Sequence, residues 1–123
     1  MSKPARRILV VEDDKDSGDS LRDLLVEMGF DVHLVRDGEA AVLAVPEVRP
    51  NIVLMDVGLP GIDGYEATRQ IRQIDAGRSL LITALTGLGE IQDIKKAADA
   101  GMDNFLTKPV SPKELVEGLK RYA

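Results

Sequence analysis

With 123 residues, 44% of them hydrophobic and 30% charged, the chain is sized for one domain with its own core and lies outside the compositional range of disorder. A net charge of −5 argues against direct binding to nucleic acid or to an anionic membrane, since both need clustered Lys and Arg. Cysteine is absent, so no disulfide framework, thiol nucleophile or thiolate zinc site is available, and no apolar run approaches the ~20 residues of a membrane span.

The basic start MSKPARR leads into a strand-length run instead of a signal-peptide core, which predicts a cytoplasmic protein with a flexible segment over residues 1–6. Ile8 to Val11 is a continuous aliphatic run, the pattern of a strand buried on both faces, and EDDKD stops it. From Asp16 the period becomes helical, with Leu21, Leu24, Leu25 and Met28 on one stripe and Gly29 as the stop. Asp31 to Val35 reads as the second strand. A small-residue helix from about Gly38 ends before Pro46 or a little past it, and Pro50 breaks the chain.

Ile52 to Asp56 reads as the third strand, followed by a helix over Tyr65 to Ile74 with Ile71 and Ile74 inward. Leu80 to Leu85 is the predicted fourth strand, and Gly87 and Gly89 open the next loop. Glu90 to Ala100 is a helix with an apolar stripe of Ile91, Ile94, Ala97 and Ala98, closed by Gly101. Phe105 and Leu106 form a short fifth strand. Ser111 to Tyr122 is the last helix, opened by a capping box of Ser111 and Glu114. Strands alternating with helices predict an α/β fold with a parallel sheet covered on both faces, and ligands in such sheets bind beyond the carboxyl ends of the strands.

At those ends stand Glu12, Asp13 and Asp14 after the first strand, Asp56 after the third, Thr86 after the fourth and Lys108 after the fifth. Each alone has a plain structural reading: acids cap helices, Thr ends strands and Lys is solvated. Together they point to chemistry, because clustered carboxylates repel one another unless a cation neutralises them. Mg2+ takes one or two carboxylates and fills its shell with water and phosphate oxygens, so acids beside a Lys and a hydroxyl suit phosphoryl transfer. His33 falls inside the second strand, away from this edge, and is read as structural. A carboxylate or Thr86 is then the nucleophile, and Asp56 is the best placed, on a buried strand followed by the turn GLPG.

ILVVEDD, VLMDVGLPGIDG, the LTG after the fourth strand and the TKP after the fifth resemble the receiver domain of two-component response regulators, from about Arg7 to Tyr122. Asp56 precedes Thr86 by 30 residues and Lys108 by 52, as is usual in that family. The resemblance implies a flavodoxin-like (βα)5 three-layer sandwich with strand order 2-1-3-4-5, filling residues 1–123 as a single receiver domain. It makes Asp56 the acceptor of a phosphoryl group from a histidine kinase or histidine phosphotransfer protein. Asp13 and Asp56 would ligate Mg2+ directly, Glu12 through water, and Gly58 through its carbonyl.

Thr86 and Lys108 would contact the phosphoryl group, and the Lys108–Pro109 bond would be cis. Phe105 stands where many receivers carry a switching Tyr, so it is either a switch acting through ring packing or a core Phe. Asp14 and Asp63 are left as capping or solvated acids, and Tyr65 and Tyr122 as surface or packing aromatics. Gly58 and Leu88 flank the site and are expected to affect the lifetime of the phosphorylated state. The resemblance admits a phosphorylation-dependent dimer and leaves the output partner open. The chain is read as a stand-alone regulator, which Met1 favours, or as the receiver portion of a hybrid histidine kinase, toward which GLPGIDGYEA and ALTGLGE lean. The competing enzyme reading is an Mg2+-dependent small-molecule phosphohydrolase. It is weakened because such enzymes carry a second Asp two residues after the nucleophile, and position 58 is Gly.

Overall fold

The structure is a computed structural model that describes residues 6–87 and 94–119. Five strands, β1 (Arg7–Val11), β2 (Asp31–Val35), β3 (Ile52–Asp56), β4 (Leu81–Thr86) and β5 (Asn104–Thr107), form one sheet. All pairings are parallel, in the order β2-β1-β3-β4-β5, which is the order expected. The helices are α1 (Lys15–Glu27), α2 (Gly38–Val48), α3 (Gly64–Gln73), α4 (Ile94–Ala100) and α5 (Pro112–Leu119), with a short 3-10 turn over Asp75–Gly77 before β4.

Alternation along the strands divides the core into two layers. Leu9, Val11, Val53, Met55, Ile82 and Ala84 face α2, α3 and α4, where Ala41, Val45, Ala67, Ile71, Ala97 and Ala100 meet them. Ile8, Val10, Ile52, Leu54 and Leu85 face α1 and α5, meeting Leu25, Leu115 and Leu119. The central strand β3 is buried from end to end, Asp56 included, so the carboxylate stands on a mount fixed by both layers. This is the three-layer flavodoxin-like sandwich.

Helices α1, α2, α3 and α5 begin on capping side chains at the carboxyl edge. Asp14 accepts the Ser17 N–H at 2.8 Å, Asp37 the Ala40 N–H at 2.7 Å, Asp63 the Glu66 N–H at 2.9 Å, and the Ser111 hydroxyl the Glu114 N–H at 3.1 Å. Gly29 and Gly101 follow α1 and α4 with φ of 98° and 105°, a conformation that glycine adopts without steric cost.

Several boundaries differ from expectation. Thr86 is the last residue of β4, not the first after it, because the ladder runs on to pair Thr86 with Thr107. Helix α2, by contrast, ends a little past Pro46, the second of the two endings expected, with Ala41 and Val45 in the core and Arg49 as its C-cap at φ of 51°. Ala98 is exposed and Ile74 only partly buried, so neither belongs to the deep stripe. Gly64 is the first residue of α3 and not part of the preceding turn. Residues 1–5, Leu88 to Asp93, the side chain of Ile94 and Tyr122 lie outside what is described; Arg6 is exposed, with its carbonyl accepting the Asp31 N–H at 2.9 Å. Among the described residues no helix is long and apolar enough to cross a membrane.

Candidate functional site

The sheet order places β1, β3 and β4 side by side and β5 next to β4, so residues distant in sequence meet at one rim. Glu12 directly follows β1 and is 2% exposed; Asp56 ends β3 and is 3% exposed. Asp13, one residue on, is exposed. Carboxylate oxygens of Glu12, Asp13 and Asp56 all lie within 4.8 Å of one another. Asp14 turns away into its capping role, so the acids at this edge divide into three that close helices and three that converge.

Lys108 bridges the converging acids. Its ammonium donates to Glu12 Oε1 at 3.1 Å and lies 3.3 Å from Asp56 Oδ2, a contact between residues 96 positions apart in the first case. The Lys108 N–H donates to the Thr86 carbonyl at 2.6 Å, which fixes the base of this side chain; the Lys108–Pro109 bond is cis, as expected. On the other side, the Gly58 N–H donates to Asp56 Oδ1 at 3.0 Å, which closes the turn after β3 and orients the carboxylate. The Asp14 N–H reaches back to Glu12 Oε2 at 3.3 Å.

The electrostatics follow from burial. Desolvation, then hydrogen bonding to and repulsion from Asp56, push the Glu12 carboxyl up to about 7, with Lys108 pulling the other way. Burial works against the charge on Lys108, but the hydrogen bond to Glu12 and the attraction of Asp56 outweigh it and hold its pKa above the ordinary lysine value. The cap hydrogen bonds from Ser17 keep the exposed Asp14 carboxyl below the usual range. Three oxygen-donor side chains against one ammonium leave an excess of negative charge at a half-buried rim. That donor chemistry fits a hard divalent cation such as Mg2+, and lacks the sulfur and nitrogen donors of a zinc or copper site.

Thr86 is 3% exposed at the rim of β4. Phe105 pairs with Ala84 on the edge strand and is 47% exposed, so the alternative of a core Phe does not hold. An edge strand has no further neighbour to cover the ring. Tyr65 is buried against the α2 and α3 side, a packing aromatic with the Lys96 ammonium 4.6 Å from its ring centre. His33 sits on the edge strand β2, 3.5 Å from the Asp31 carboxylate, and is not part of the acid cluster.

Beside the acids, a groove of about 570 Å³ runs between α1 and the segment from Lys108 to Pro112, with Leu21, Leu24, Pro109 and Val110 in its walls and Glu12 and Lys108 at its inner end. One residue near the site escapes sequence patterns altogether. Gly64, the start of α3, lies against the Asp56 backbone. The available signal is a glycine at a helical position, where it is disfavoured unless close packing requires it.

Comparison with known proteins agrees with this geometry. Residues 8–120 match the response regulator receiver domain family. The chain is 38% identical over 116 residues to the DNA-binding response regulator MtrA of Mycolicibacterium smegmatis, covering 94% of this chain and 50% of MtrA. It is 40% identical over 120 residues to the sensor protein GacS of Pseudomonas syringae pv. syringae, covering 95% of this chain and 13% of GacS. The chain thus spans about half the length of MtrA and a small part of GacS. Among solved structures it resembles the receiver domain of sensor histidine kinase PA1611 from Pseudomonas aeruginosa, which has a magnesium ion coordinated in its active-site cleft. That likeness has a TM-score of 0.87 and 38% identity over 97% of this chain and 98% of the other. With sheet order, rim residues and a family match over nearly its whole length in agreement, this chain belongs to the response regulator receiver domain family.

Proposed function

We propose that Asp56 accepts a phosphoryl group from a phosphohistidine on a histidine kinase or histidine phosphotransfer protein, and that the chain works as a phosphorylation switch in a phosphorelay. The observation that carries this reading is the ammonium of Lys108 shared between the buried carboxylates of Glu12 and Asp56, with Asp13 beside them. Asp13, Asp56 and the Gly58 carbonyl would hold Mg2+, with Glu12 acting through water. Bound there, the ion supplies neutralisation of the charge on the phosphoryl oxygens.

An oxygen of the Asp56 carboxylate attacks phosphorus, the bond from phosphorus to the histidine nitrogen breaks, and the ring, already protonated on its other nitrogen, leaves with the electron pair as neutral imidazole. The Gly58 N–H holds the other carboxylate oxygen during attack. Lys108, freed from Asp56 as its charge is esterified, pairs with a phosphoryl oxygen, and the Thr86 hydroxyl donates to another in the active state. Water later attacks phosphorus, releasing inorganic phosphate and regenerating the carboxylate. The groove beside Glu12 and Lys108 would be the side from which a histidine-bearing partner reaches the acids. The switch then alters the face bearing Phe105, read by an output partner or a second copy of the chain.

Incubation with Mg2+ and acetyl phosphate, followed by intact mass, tests this. The expected product is a single phosphoryl adduct that is absent in Asp56→Asn and absent without Mg2+. Rapid, repeated turnover of donor with no adduct would assign a phosphohydrolase instead.

A further inference from the structure

We infer that the first turn of α3 is a positioning element for the nucleophile, acting through the backbone of Gly64, on which the Asp56–Val57 peptide rests. A methyl group on Gly64 would lie 2.4 Å from the Asp56 carbonyl oxygen, 2.8 Å from Val57 Cα and 3.1 Å from the Asp56 carbonyl carbon. All three are backbone atoms, which cannot rotate aside as a side chain can. Gly64 is buried, and its N–H donates to the Val57 carbonyl at 3.2 Å. It is not among the glycines of positive φ, so close approach and not backbone conformation is what requires glycine here.

The consequence reaches the carboxylate. Asp56 Oδ1 is held by the Gly58 N–H and Oδ2 lies against Lys108, and both contacts depend on the path of the chain from Asp56 to Gly58. Displacing the Asp56–Val57 peptide swings the carboxylate away from Glu12 and Asp13. A misplacement of about 1 Å costs on the order of 100-fold in rate. The inference rests on Asp56 being the acceptor proposed above.

Gly77 provides a matched comparison. A methyl group there would meet the Ile71 carbonyl oxygen at 2.1 Å, also a backbone clash, but in the 3-10 turn before β4, at the opposite end of the sheet. Gly64→Ala and Gly77→Ala are compared with the wild type for phosphorylation by acetyl phosphate, Mg2+ affinity by calorimetry and the Gly58 amide resonance. Each value is corrected for the folded fraction from urea curves. Gly64→Ala is expected to accept the phosphoryl group on the order of 100-fold more slowly, to bind Mg2+ more weakly and to shift the Gly58 resonance. Gly77→Ala should match the wild type on all three. Folded Gly64→Ala that matches the wild type overturns the inference.

Should Gly64→Ala not fold, Asp63 decides. Asp63→Ala removes the α3 cap and leaves Gly64 in place, whereas Asp63→Asn loses the same charge and keeps a capping oxygen. A shifted Gly58 resonance and weaker Mg2+ binding in Asp63→Ala but not in Asp63→Asn supports the inference; equal values in the two overturn it. A wild type that takes no phosphoryl group at all defeats the functional reading instead, and the Gly58 resonance still decides the positioning role.

Discussion

Glu12 gives the domain a pH dependence opposite in sign to that of most surface carboxylates. Its carboxyl rises from an ordinary 4.5 to about 7 on folding, first through burial and then through Asp56. Between those two values the folded state holds a proton that the unfolded state has released, so stability falls as pH rises through the window and levels off above 7. At ~1.4 kcal/mol per unit of pKa, the whole fall is of the order of 3 kcal/mol. Urea unfolding followed by circular dichroism, at pH 5, 6, 7 and 8 with EDTA present, measures it. Glu12→Gln is the reference, because the amide keeps the shape of the side chain and does not titrate. The wild type is expected to lose stability relative to Glu12→Gln steadily from pH 5 to 7 and by only about 0.4 kcal/mol more at pH 8. A difference between the two that stays flat, or that moves in favour of the wild type as pH rises, would refute the assignment of a buried, repelled carboxyl at this position.

Two further outcomes are expected. Mg2+ at 100 times its dissociation constant should stabilise the wild type against urea by about 2.7 kcal/mol, and by more at pH 8 than at pH 6 at the same concentration; Asp13→Asn should abolish the gain. At the other end of the sheet, the Arg72 guanidinium donates to the Gly77, Leu80 and Gly101 carbonyls and to Asp103 at 2.6 to 3.0 Å. Arg72→Ala should therefore cost about 2–3 kcal/mol in a urea curve while leaving Mg2+ affinity of the folded protein unchanged.

The parts of the fold written in local pattern are those the sequence makes legible. β3 is IVLMD, and five residues buried on both faces need an unbroken apolar run, so its ends and its rim residue Asp56 can be read directly. Asp14, Asp37 and Asp63 each accept an N–H from three residues on, a local geometry that the order of residues nearly dictates. Sheet order is different in kind, because each strand alone is compatible with several neighbours; it came from resemblance, and with it came the meeting of Lys108 and Glu12. β5 shows the limit of periodicity. Four residues with two apolar ones do not say which face is covered, and Phe105 is half exposed because its strand lies at the sheet edge. The contact of Gly64 with Asp56 is less legible still, since it depends on the angle at which α3 leaves the loop.

On the proposed reading, the division of acids at the rim is what sets Asp56 apart from the neighbouring acids. A capping carboxylate has its charge met first by hydrogen bonds at the helix start, as the lowered pKa of Asp14 records, with Lys108 and Arg36 adding smaller attractions. Glu12 and Asp56 share the Lys108 ammonium with Asp13 beside them, and the proton that Glu12 retains to about 7 is a second, weaker neutraliser. A divalent ion held there would replace that proton and leave Lys108 available. A phosphoryl group would then bring negative charge to a site already balanced without it, and would remove the charge of the one carboxylate it esterified. The ammonium released from Asp56 is the group best placed to meet the new oxygens. With Asp56 as the acceptor proposed above, the bridge between Lys108 and Asp56 is the contact that phosphorylation would break.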